Sequence, residues 1–307
     1  MLDDHAVAGL VSMPEAIDAL EAAFADLAEG KAEVLGRQRI DCGAVKLSTM
    51  GGLWPAAGFA AIKSYLTVNG QFSFSTTGWD TGANQVVFTM TGDELTRLRT
   101  PALACLVTRK TVGQGGKLAV FGAGQQGRAH VEALHPQHRF NSIAVVDTAD
   151  VSAWCAEAAQ RLQCTVVQTD SDKAIADADL VLTTSRSKTP VFDGEALKAG
   201  ATLVAMGVSL PTGRELDDAT LRRASRVVVE WQPQSLHEAG EVVLGLASGA
   251  LDADRIIDLP ALYRQAGPWR QHASDIIVFK SVGVGLSDAA VARLIWQRWL
   301  AQQRGQA

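Results

Sequence analysis

At 307 residues, the chain is long enough for about two domains with a substantial core. Its content of 47% hydrophobic and 20% charged residues is typical of a globular enzyme. The net charge of −5 argues against a general affinity for nucleic acid or anionic membranes, and no apolar run is long enough to span a bilayer. The N-terminal segment lacks the features of a signal peptide, and the four cysteines show no metal-type spacing. We therefore expect a cytoplasmic protein without a metal site.

The first predicted element is a helix whose start is marked by Ser12 and Glu15, the two residues of a capping box. Its apolar face continues until Gly30, where the helix is expected to end. The remaining elements expected in this part are strand-like runs within residues 37–67, a loop at 69–84, a strand at 85–90 and a helix at 93–111.

The middle of the chain carries the pattern of a dinucleotide-binding turn. A buried strand is predicted at Lys117–Phe121 and a helix from Gln125 onward, with a glycine-rich turn between them. In such a turn the first glycine permits the tight bend, the second lets a pyrophosphate approach the backbone, and the third lets helix and strand pack closely. The helix N-terminus then offers free N–H groups to the phosphates. The residues predicted to bind the cofactor here are Gly122, Ala123, Gly124, Gln125, Gln126 and Gly127.

An acidic residue at the expected distance strengthens this prediction. Asp147 follows a second predicted strand, Ser142–Val146, about twenty residues after the turn, where a ribose-binding carboxylate belongs. No arginine follows Asp147 to pair with a 2′-phosphate, so NAD(H) is favoured over NADP(H). The neighbouring Thr148 leaves the use of NADP(H) open.

Strands and helices alternate regularly after residue 112. Further strands are predicted at residues 165–168, 180–183, 202–206, 226–230 and 275–280, with helices between most of them, including 151–162 and 215–224. This alternation predicts an α/β fold with a Rossmann-type, doubly wound parallel sheet. We assign residues 112–283 to this domain. Residues 1–111 are expected to form an α+β domain that supplies the substrate pocket, joined by the last helix within 284–307.

The carboxyl ends of parallel strands face the ligand in this kind of sheet. Small hydroxyl residues and glycines stand at three of the predicted ends, a composition that fits contact with ribose and nicotinamide but also fits plain turns. The residues predicted to contact the cofactor there are Thr183, Thr184, Ser185, Met206, Gly207, Val208, Lys280 and Ser281.

Three cations in or beside the first predicted domain suggest a site for a small carboxylate. Lys63 lies in the middle of an apolar strand-like run, where an unpaired charge is costly to bury. Arg37 lies on an earlier run and Arg99 just before the nucleotide-binding domain, and a guanidinium matches a carboxylate with two parallel hydrogen bonds. For Arg39 and Arg97, structural ion pairs explain the sequence equally well.

Taken together, these segments resemble the ornithine cyclodeaminase/mu-crystallin family. The matching pieces cover nearly the whole chain in order and are GRQRI (36–40), AAIKSY (60–65), DELTRLRTPA (93–102), VFGAGQQGRAH (120–130), MGVSLPTGRELDD (206–218) and VFKSVGVGLSD (278–288). The resemblance implies that Arg37, Lys63 and Arg99 hold a substrate carboxylate and that Lys63 also passes a proton. It further implies that Thr100 helps to hold a cofactor phosphate. By the same resemblance, the first domain with the last helix forms a homodimer.

Ser209 is an informative departure from part of this family. Ornithine cyclodeaminases carry an aspartate at this place, which handles the substrate amine, whereas members that resemble ketimine reductases carry serine. The resemblance therefore favours reduction of a small cyclic imino acid, Δ1-pyrroline-2-carboxylate or Δ1-piperideine-2-carboxylate, to L-proline or L-pipecolate. Lys63, Ser209 and Arg99 are the catalytic residues that it implies. A second departure is segment Gly78–Thr91, which is shorter than the usual strand pair of the family.

Alternative functions remain open at this point. One is an amino-acid dehydrogenase or reductive aminase that acts on a 2-oxo acid and ammonia or an alkylamine. Ornithine cyclodeamination is another. Outside enzymes, a non-catalytic NAD(P)H-binding protein of the crystallin kind is the alternative.

Overall fold

A computed structural model of the protein describes residues 2–305, and these divide into two compact units. The first unit comprises residues up to Leu106 together with those from Gly283 onward, and the second is Val107–Val282.

Both units combine α-helices with β-strands. In chain order, the α-helices of the described residues are α1 (Asp4–Val7), α2 (Met13–Ala28), α3 (Asp93–Thr111), α4 (Gln125–His138), α5 (Ser152–Leu162), α6 (Ser171–Ile175), α7 (Asp218–Arg223), α8 (Gln232–Glu238), α9 (Gly240–Ser248), α10 (Leu259–Arg264) and α11 (Gly285–Gly305). The strands are β1 (Glu33–Cys42), β2 (Val45–Trp54), β3 (Phe59–Val68), β4 (Gln71–Asp80), β5 (Gln85–Thr91), β6 (Lys117–Phe121), β7 (Ser142–Val146), β8 (Thr165–Gln168), β9 (Leu180–Thr183), β10 (Thr202–Ala205), β11 (Ala224–Val229), β12 (Ile256–Asp258) and β13 (Ile276–Lys280).

The first unit is built on an antiparallel sheet with the order β1-β2-β3-β4-β5. Helix α11 packs on one face of this sheet, mainly on β2 and β3, and also contacts α2. The approach of helix to sheet is close because glycines meet there: a Cβ added to Gly285 would lie 2.2 Å from the backbone nitrogen of Gly51. In the sheet register, Lys63 of β3 lies opposite Met50 of β2 and Thr76 of β4, so its side chain shares their face.

The second unit is a sheet of parallel strands with the order β12-β11-β13-β10-β9-β6-β7-β8. The chain runs from β6 outward to β8 and then returns to place β9 on the other side of β6. The strand order therefore reverses between β6 and β9, and ligands of such sheets bind at the carboxyl ends of the strands at this point. The predicted α/β class, with a Rossmann-type sheet and an additional α+β unit, is confirmed.

The predicted loop at residues 69–84 is wrong, because β4 occupies most of it. Asn69 and Gly70 are the two residues between β3 and β4, and both have positive φ, 49° and 77°. A two-residue Asn-Gly connection is the strongest short-range signal of a hairpin, and it outweighs the many Ser and Thr residues that follow. Segment Gly78–Thr91 accordingly contains the end of β4, a four-residue connection and the whole of β5, paired in antiparallel register.

The polar segment HPQHR (135–139) has the composition of a solvated loop but is largely helical. Residues 135–138 form the last turn of α4, which ends at Arg139 in the left-handed conformation. His138 is buried, and its ring nitrogens lie 2.9 Å from Thr108 Oγ1 and 3.1 Å from the Gly113 carbonyl oxygen. Burial lowers the pKa of His138 below its ordinary value. This histidine therefore contributes to packing in the second unit.

Across the described residues, no helix combines the length and apolarity needed to cross a membrane.

Candidate active site

The glycine-rich turn connects β6 to α4, at the point where the strand order reverses. Gly122 has a φ of +98°, which a residue with a side chain rarely adopts. A Cβ added to Gly127 would lie 1.9 Å from the carbonyl oxygen of Gly122, so the third glycine lets the helix pack against the turn. A Cβ at Gly124 would meet no atom within 4 Å, so the space beside the second glycine is open. Each glycine thus does what a pyrophosphate-binding turn requires.

Asp147 lies beside this turn. Its Oδ2 accepts a hydrogen bond from the backbone nitrogen of Ala123 at 2.7 Å, and its Oδ1 accepts one from Ala149 at 2.9 Å. The carboxylate is therefore fixed at the end of β7, next to the loop. Gln126, in the first turn of α4, has a buried Oε1 without a hydrogen-bond partner in the part of the chain that the structure describes. A polar atom of this kind is available to a ligand at the helix N-terminus.

The residues after β9 are held by a carboxylate that the sequence analysis missed. Glu215 is fully buried, and its Oε1 accepts hydrogen bonds from the backbone nitrogen and the hydroxyl of Ser185, at 2.8 and 2.6 Å. Its Oε2 accepts from the Thr183 hydroxyl at 2.9 Å and from the Gly207 backbone nitrogen at 2.8 Å. The Thr184 hydroxyl donates to the Gly122 carbonyl oxygen at 2.8 Å. The side chains predicted to face the cofactor therefore also organise the strand ends themselves.

Lys280 and the loop after β10 are joined in a similar way. Lys280 is fully buried, donates to the Val208 carbonyl oxygen at 2.6 Å, and forms an ion pair with Glu241 at 2.8 Å. Ser281, also buried, donates its backbone N–H to the carbonyl oxygen of Ala205 at 3.0 Å. These contacts fix the backbone beside half-buried Ser209. The Lys280 ammonium therefore links this loop to Glu241.

In the first unit, Lys63 is buried, with 1% of its side chain exposed. Its Nζ donates to Asp288 Oδ1 at 2.9 Å and to Thr96 Oγ1 at 2.5 Å, and lies 4.3 Å from the centre of the Phe74 ring. A charge in the middle of β3 is thus stabilised by an ion pair, a hydroxyl and an aromatic face.

Asp288 is the second residue that the sequence analysis missed. It lies in the first turn of α11, is buried, and contacts Arg99 as well as Lys63, with 3.5 Å between Arg99 Nε and Asp288 Oδ1. Two cations therefore share this carboxylate. Within residues 2–305, neither Arg99 Nε nor Asp288 Oδ2 has a hydrogen-bond partner. The arrangement leaves positive charge that a small anion can neutralise.

Arg37 approaches the same group from β1. The pairing of β1 with β2 shifts register between Leu35 and Gln38, and a bulge of this kind redirects a side chain. Arg37 donates to the Gly283 carbonyl oxygen at 2.8 Å and lies 3.3 Å from the Met50 sulfur. A Cβ on Gly283 would lie 3.2 to 3.3 Å from guanidinium nitrogens of both Arg37 and Arg99. The structure therefore brings together the three cations Arg37, Lys63 and Arg99.

The charges around Lys63 change its titration. Burial lowers the pKa of Lys63 to about 8, and the nearby Arg99 and Arg37 charges act in the same direction against the opposing effect of Asp288. Burial acts to raise the pKa of Asp288, but the Lys63 and Arg99 charges outweigh it, so the pKa lies below its usual range. At neutral pH the pair is charged. Lys63 can release its proton much closer to neutrality than an exposed lysine does.

The other predicted residues have simpler surroundings. Thr100 follows Arg99 in α3, and its Oγ1 is buried with no hydrogen-bond partner among the described residues, so it is available to a ligand. Arg97 is half exposed and paired with Glu94, which agrees with the structural alternative considered for it. No cluster of three or more His, Cys, Asp or Glu suited to a metal ion occurs within the described range.

Comparison with known proteins gives one consistent result. The model of the family described as "Ornithine cyclodeaminase/mu-crystallin family" matches residues 1–303. A Delta(1)-pyrroline-2-carboxylate reductase from Bacillus cereus is 28% identical over 246 residues, which cover 78% of this chain and 74% of that protein. These similarities extend over both units.

Solved structures agree with the sequence matches. The structure of a probable ornithine cyclodeaminase from Bordetella pertussis is 38% identical, with a TM-score of 0.94, and the match covers 99% of this chain and 97% of that one. The structure of the iminosuccinate reductase of Paracoccus denitrificans in complex with NAD+ is 25% identical, with a TM-score of 0.90 and coverage of 99% and 96%.

Proposed function

The chain belongs to the ornithine cyclodeaminase/mu-crystallin family, and from this premise we propose that it reduces a cyclic ketimine carboxylate with NAD(P)H. The substrate would be Δ1-pyrroline-2-carboxylate or Δ1-piperideine-2-carboxylate, and the product L-proline or L-pipecolate. The observation that carries the proposal is the buried Lys63, with its pKa lowered to about 8, between Asp288 and two arginines. The similarity to a Delta(1)-pyrroline-2-carboxylate reductase supports the substrate class.

Binding of the substrate carboxylate is assigned to Arg37, Lys63 and Arg99. Since Lys63 and Arg99 share one carboxylate, Asp288, the group retains positive charge that the substrate neutralises. A carboxylate held by more than one cation is fixed in orientation as well as in position. The imine carbon carries that carboxylate, so the C=N bond is positioned as well. Such positioning contributes several kcal/mol to lowering the barrier.

Proton transfer is assigned to Lys63. Hydride adds to the imine carbon more readily when the nitrogen is protonated, and a general acid works best when its pKa lies near the working pH. A lysine with a pKa of about 8 is mostly protonated at neutral pH and gives up its proton at a small cost. Asp288 then lies beside a neutral amine and favours its return to the ammonium form. A water held by Ser209 is the alternative donor.

The hydride is supplied by the reduced nicotinamide when it is bound. The open space at Gly124 and the free backbone N–H groups at the N-terminus of α4 fit the phosphates of a dinucleotide. Asp147 at the end of β7 fits a ribose 2′-hydroxyl better than a 2′-phosphate. We therefore propose NAD(H) as the preferred cofactor, with NADP(H) as the alternative. The similarity to an iminosuccinate reductase solved with NAD+ supports the cofactor class.

One face of the antiparallel sheet supports a homodimer. Lys63 and α11 occupy one face of this sheet, and the register places a row of exposed apolar side chains on the other. These residues are Leu35, Ile40, Val45, Leu47, Leu53, Leu66 and Val68, exposed by 37% to 69%. An apolar face of this extent is typical of a surface that another chain covers. We propose a second copy of this chain as that partner.

We further propose a cytoplasmic location. The four free cysteines support it.

A second candidate is reduction of an open-chain imine formed from a 2-oxo acid and ammonia. The match to the iminosuccinate reductase, which extends over 99% of this chain, favours it. Cyclodeamination is disfavoured because Ser209 stands where the resemblance implies an aspartate that handles the substrate amine.

The experiment that distinguishes these functions is a panel of substrates with the purified protein. NADH and NADPH oxidation are measured with five- and six-membered cyclic imino acids, with pyruvate or oxaloacetate plus ammonia, and with pyruvate plus methylamine. Rapid oxidation with the cyclic imines supports the proposal. Activity confined to the oxo acid mixtures selects the second candidate. Tight NADH binding without turnover on any mixture selects the non-catalytic alternative.

A further inference from the structure

Glu215 is a buried carboxylate whose every hydrogen bond reaches the carboxyl edge of the parallel sheet. The residue is 0% exposed. Its two oxygens receive four donors: Ser185 N and Oγ, Thr183 Oγ1 and Gly207 N. Two of the donors belong to the segment after β9 and one to the segment after β10, while Thr183 ends β9 itself. A buried carboxylate with this many donors is a strong constraint on their relative positions.

We infer that Glu215 is a positioning residue that holds the loops after β9 and β10 in the shape required by the nicotinamide half of the cofactor. The inference rests on the proposed function, since that function places a nicotinamide at this edge. Glu215 itself is fully buried, and both of its carboxylate oxygens accept hydrogen bonds from the protein. Its effect is transmitted through Ser185 and Gly207, two residues of the predicted cofactor site.

The loops are in contact as well as hydrogen-bonded. A Cβ added to Gly207 would lie 2.2 Å from the carbonyl oxygen of Ser185 and 2.5 Å from Glu215 Oε1. The two segments and the carboxylate therefore leave no room for a side chain at this position. A small displacement of Glu215 moves both segments together.

A second layer holds Glu215 in place. Glu241 Oε1 accepts a hydrogen bond from the Glu215 backbone nitrogen at 2.9 Å, and Glu241 Oε2 lies 2.8 Å from the Lys280 ammonium. Lys280 also donates to the Val208 carbonyl oxygen, one residue after Gly207. Glu215 and Lys280, linked through Glu241, thus each contact the loop after β10, at Gly207 and at Val208.

Glutamine at position 215 tests the carboxylate with little change of volume. Hydroxyls can rotate and accept a hydrogen bond from an amide NH2, but backbone N–H groups cannot. Either orientation of the glutamine therefore sets its NH2 against the N–H of Ser185 or of Gly207. One of the two loops must move.

The readout compares NADH with ADP, which lacks the nicotinamide and its ribose. Dissociation constants of both ligands are measured by quenching of protein fluorescence in the unaltered chain and in E215Q. We expect E215Q to bind NADH about tenfold more weakly or worse and ADP within about twofold of the unaltered chain, because one buried N–H must find a new partner. T183V removes one donor and leaves the Glu215 side chain unchanged, so it is expected to weaken NADH binding about threefold with ADP unchanged. This second variant carries the test if E215Q does not fold.

The matched control is D217N, two residues away. Asp217 also receives two backbone N–H groups, those of Thr220 in α7 and of Gly194 in the 3-10 turn Gly194–Ala196, and neither belongs to the carboxyl edge. D217N is expected to lower the unfolding temperature and to leave both dissociation constants unchanged. Equal weakening of NADH and ADP in E215Q, or no weakening of either, would overturn the inference. Normal binding of NADH without reduction of any imine would refute the proposed reaction alone. Absence of NADH binding by the unaltered chain would refute both.

Discussion

Replacing Asp288 with asparagine removes the negative charge that Lys63 and Arg99 share while keeping the size of the side chain. In the native protein the Lys63 ammonium lies 2.9 Å from Asp288 Oδ1, and both side chains are 1% exposed. Removing one partner of a buried ion pair leaves the other charge without compensation, at a cost of about 3–5 kcal/mol. Lysine can escape this cost by losing its proton, so the effect of D288N depends on pH.

The magnitude follows from the pKa of Lys63. A pKa of about 8 means that protonation stabilises the native protein by about 2.7 kcal/mol at pH 6, relative to neutral Lys63, and by almost nothing at pH 9. Without the Asp288 charge, the pKa of Lys63 falls further, and this stabilisation at pH 6 is lost. The unfolded state is the same for both proteins and cancels in the comparison. D288N should therefore destabilise the protein by about 2–3 kcal/mol more at pH 6 than at pH 9.

The assay is chemical unfolding of both proteins at pH 6 and pH 9, with K63M and the double variant K63M/D288N as the other corners of the cycle. The double variant should be more stable at pH 6 than D288N alone, because its folding no longer requires a protonated lysine to lose its proton on burial. An effect of D288N that is equal at the two pH values would refute the assignment of a charged, buried pair. Failure of K63M to restore the stability of D288N at pH 6 would also refute this assignment.

Two further predictions concern catalysis and cofactor binding. K63M should lower the reductive kcat by about 10²–10⁴-fold with an unchanged dissociation constant for NADH. K46M, at an exposed lysine of β2, should keep full activity. The reductive rate of the unaltered protein should fall as the pH rises through about 8, where Lys63 loses its proton. In the glycine-rich turn, G124A should fold normally but bind NADH more weakly, since its methyl group enters the open space. G127A should lose stability, because its Cβ would lie 1.9 Å from the Gly122 carbonyl oxygen. Thermal unfolding and NADH titration distinguish the two variants, and equal behaviour would contradict the roles given to these glycines.

The parallel sheet could be predicted closely from the sequence for a physical reason. Strands buried on both faces appear as short continuous apolar runs, and β6, β7 and β9 have the bounds expected from such runs. The glycine-rich turn and Asp147 are local patterns at fixed spacing, so both could be located without any knowledge of distant contacts. Lys63 and Arg37 were found because charge is conspicuous in an apolar or strand-like run, and Arg99 because it precedes the nucleotide-binding domain.

The anionic partners of these cations could not be found in the same way. Asp288 pairs with Lys63 across 225 positions, and in the sequence it stands at the start of a helix, where an acidic residue is common. Glu215 lies in the polar segment PTGRELDD, at the predicted start of a helix, where an exposed acidic residue is common. Only the tertiary fold shows that both are buried. The strand β4 is a different case, because the Asn69-Gly70 pair was a sufficient local signal that composition obscured.

The most direct test of the central claim follows the hydride itself. The protein is incubated with Δ1-piperideine-2-carboxylate and NADH that carries two deuterium atoms at carbon 4, and the product is examined by mass spectrometry and NMR. The account predicts pipecolate with one deuterium at carbon 2, the former imine carbon, formed at the rate of NADH oxidation and lost in K63M but not in K46M. Pipecolate without deuterium at carbon 2, or NADH oxidation without pipecolate, would contradict it.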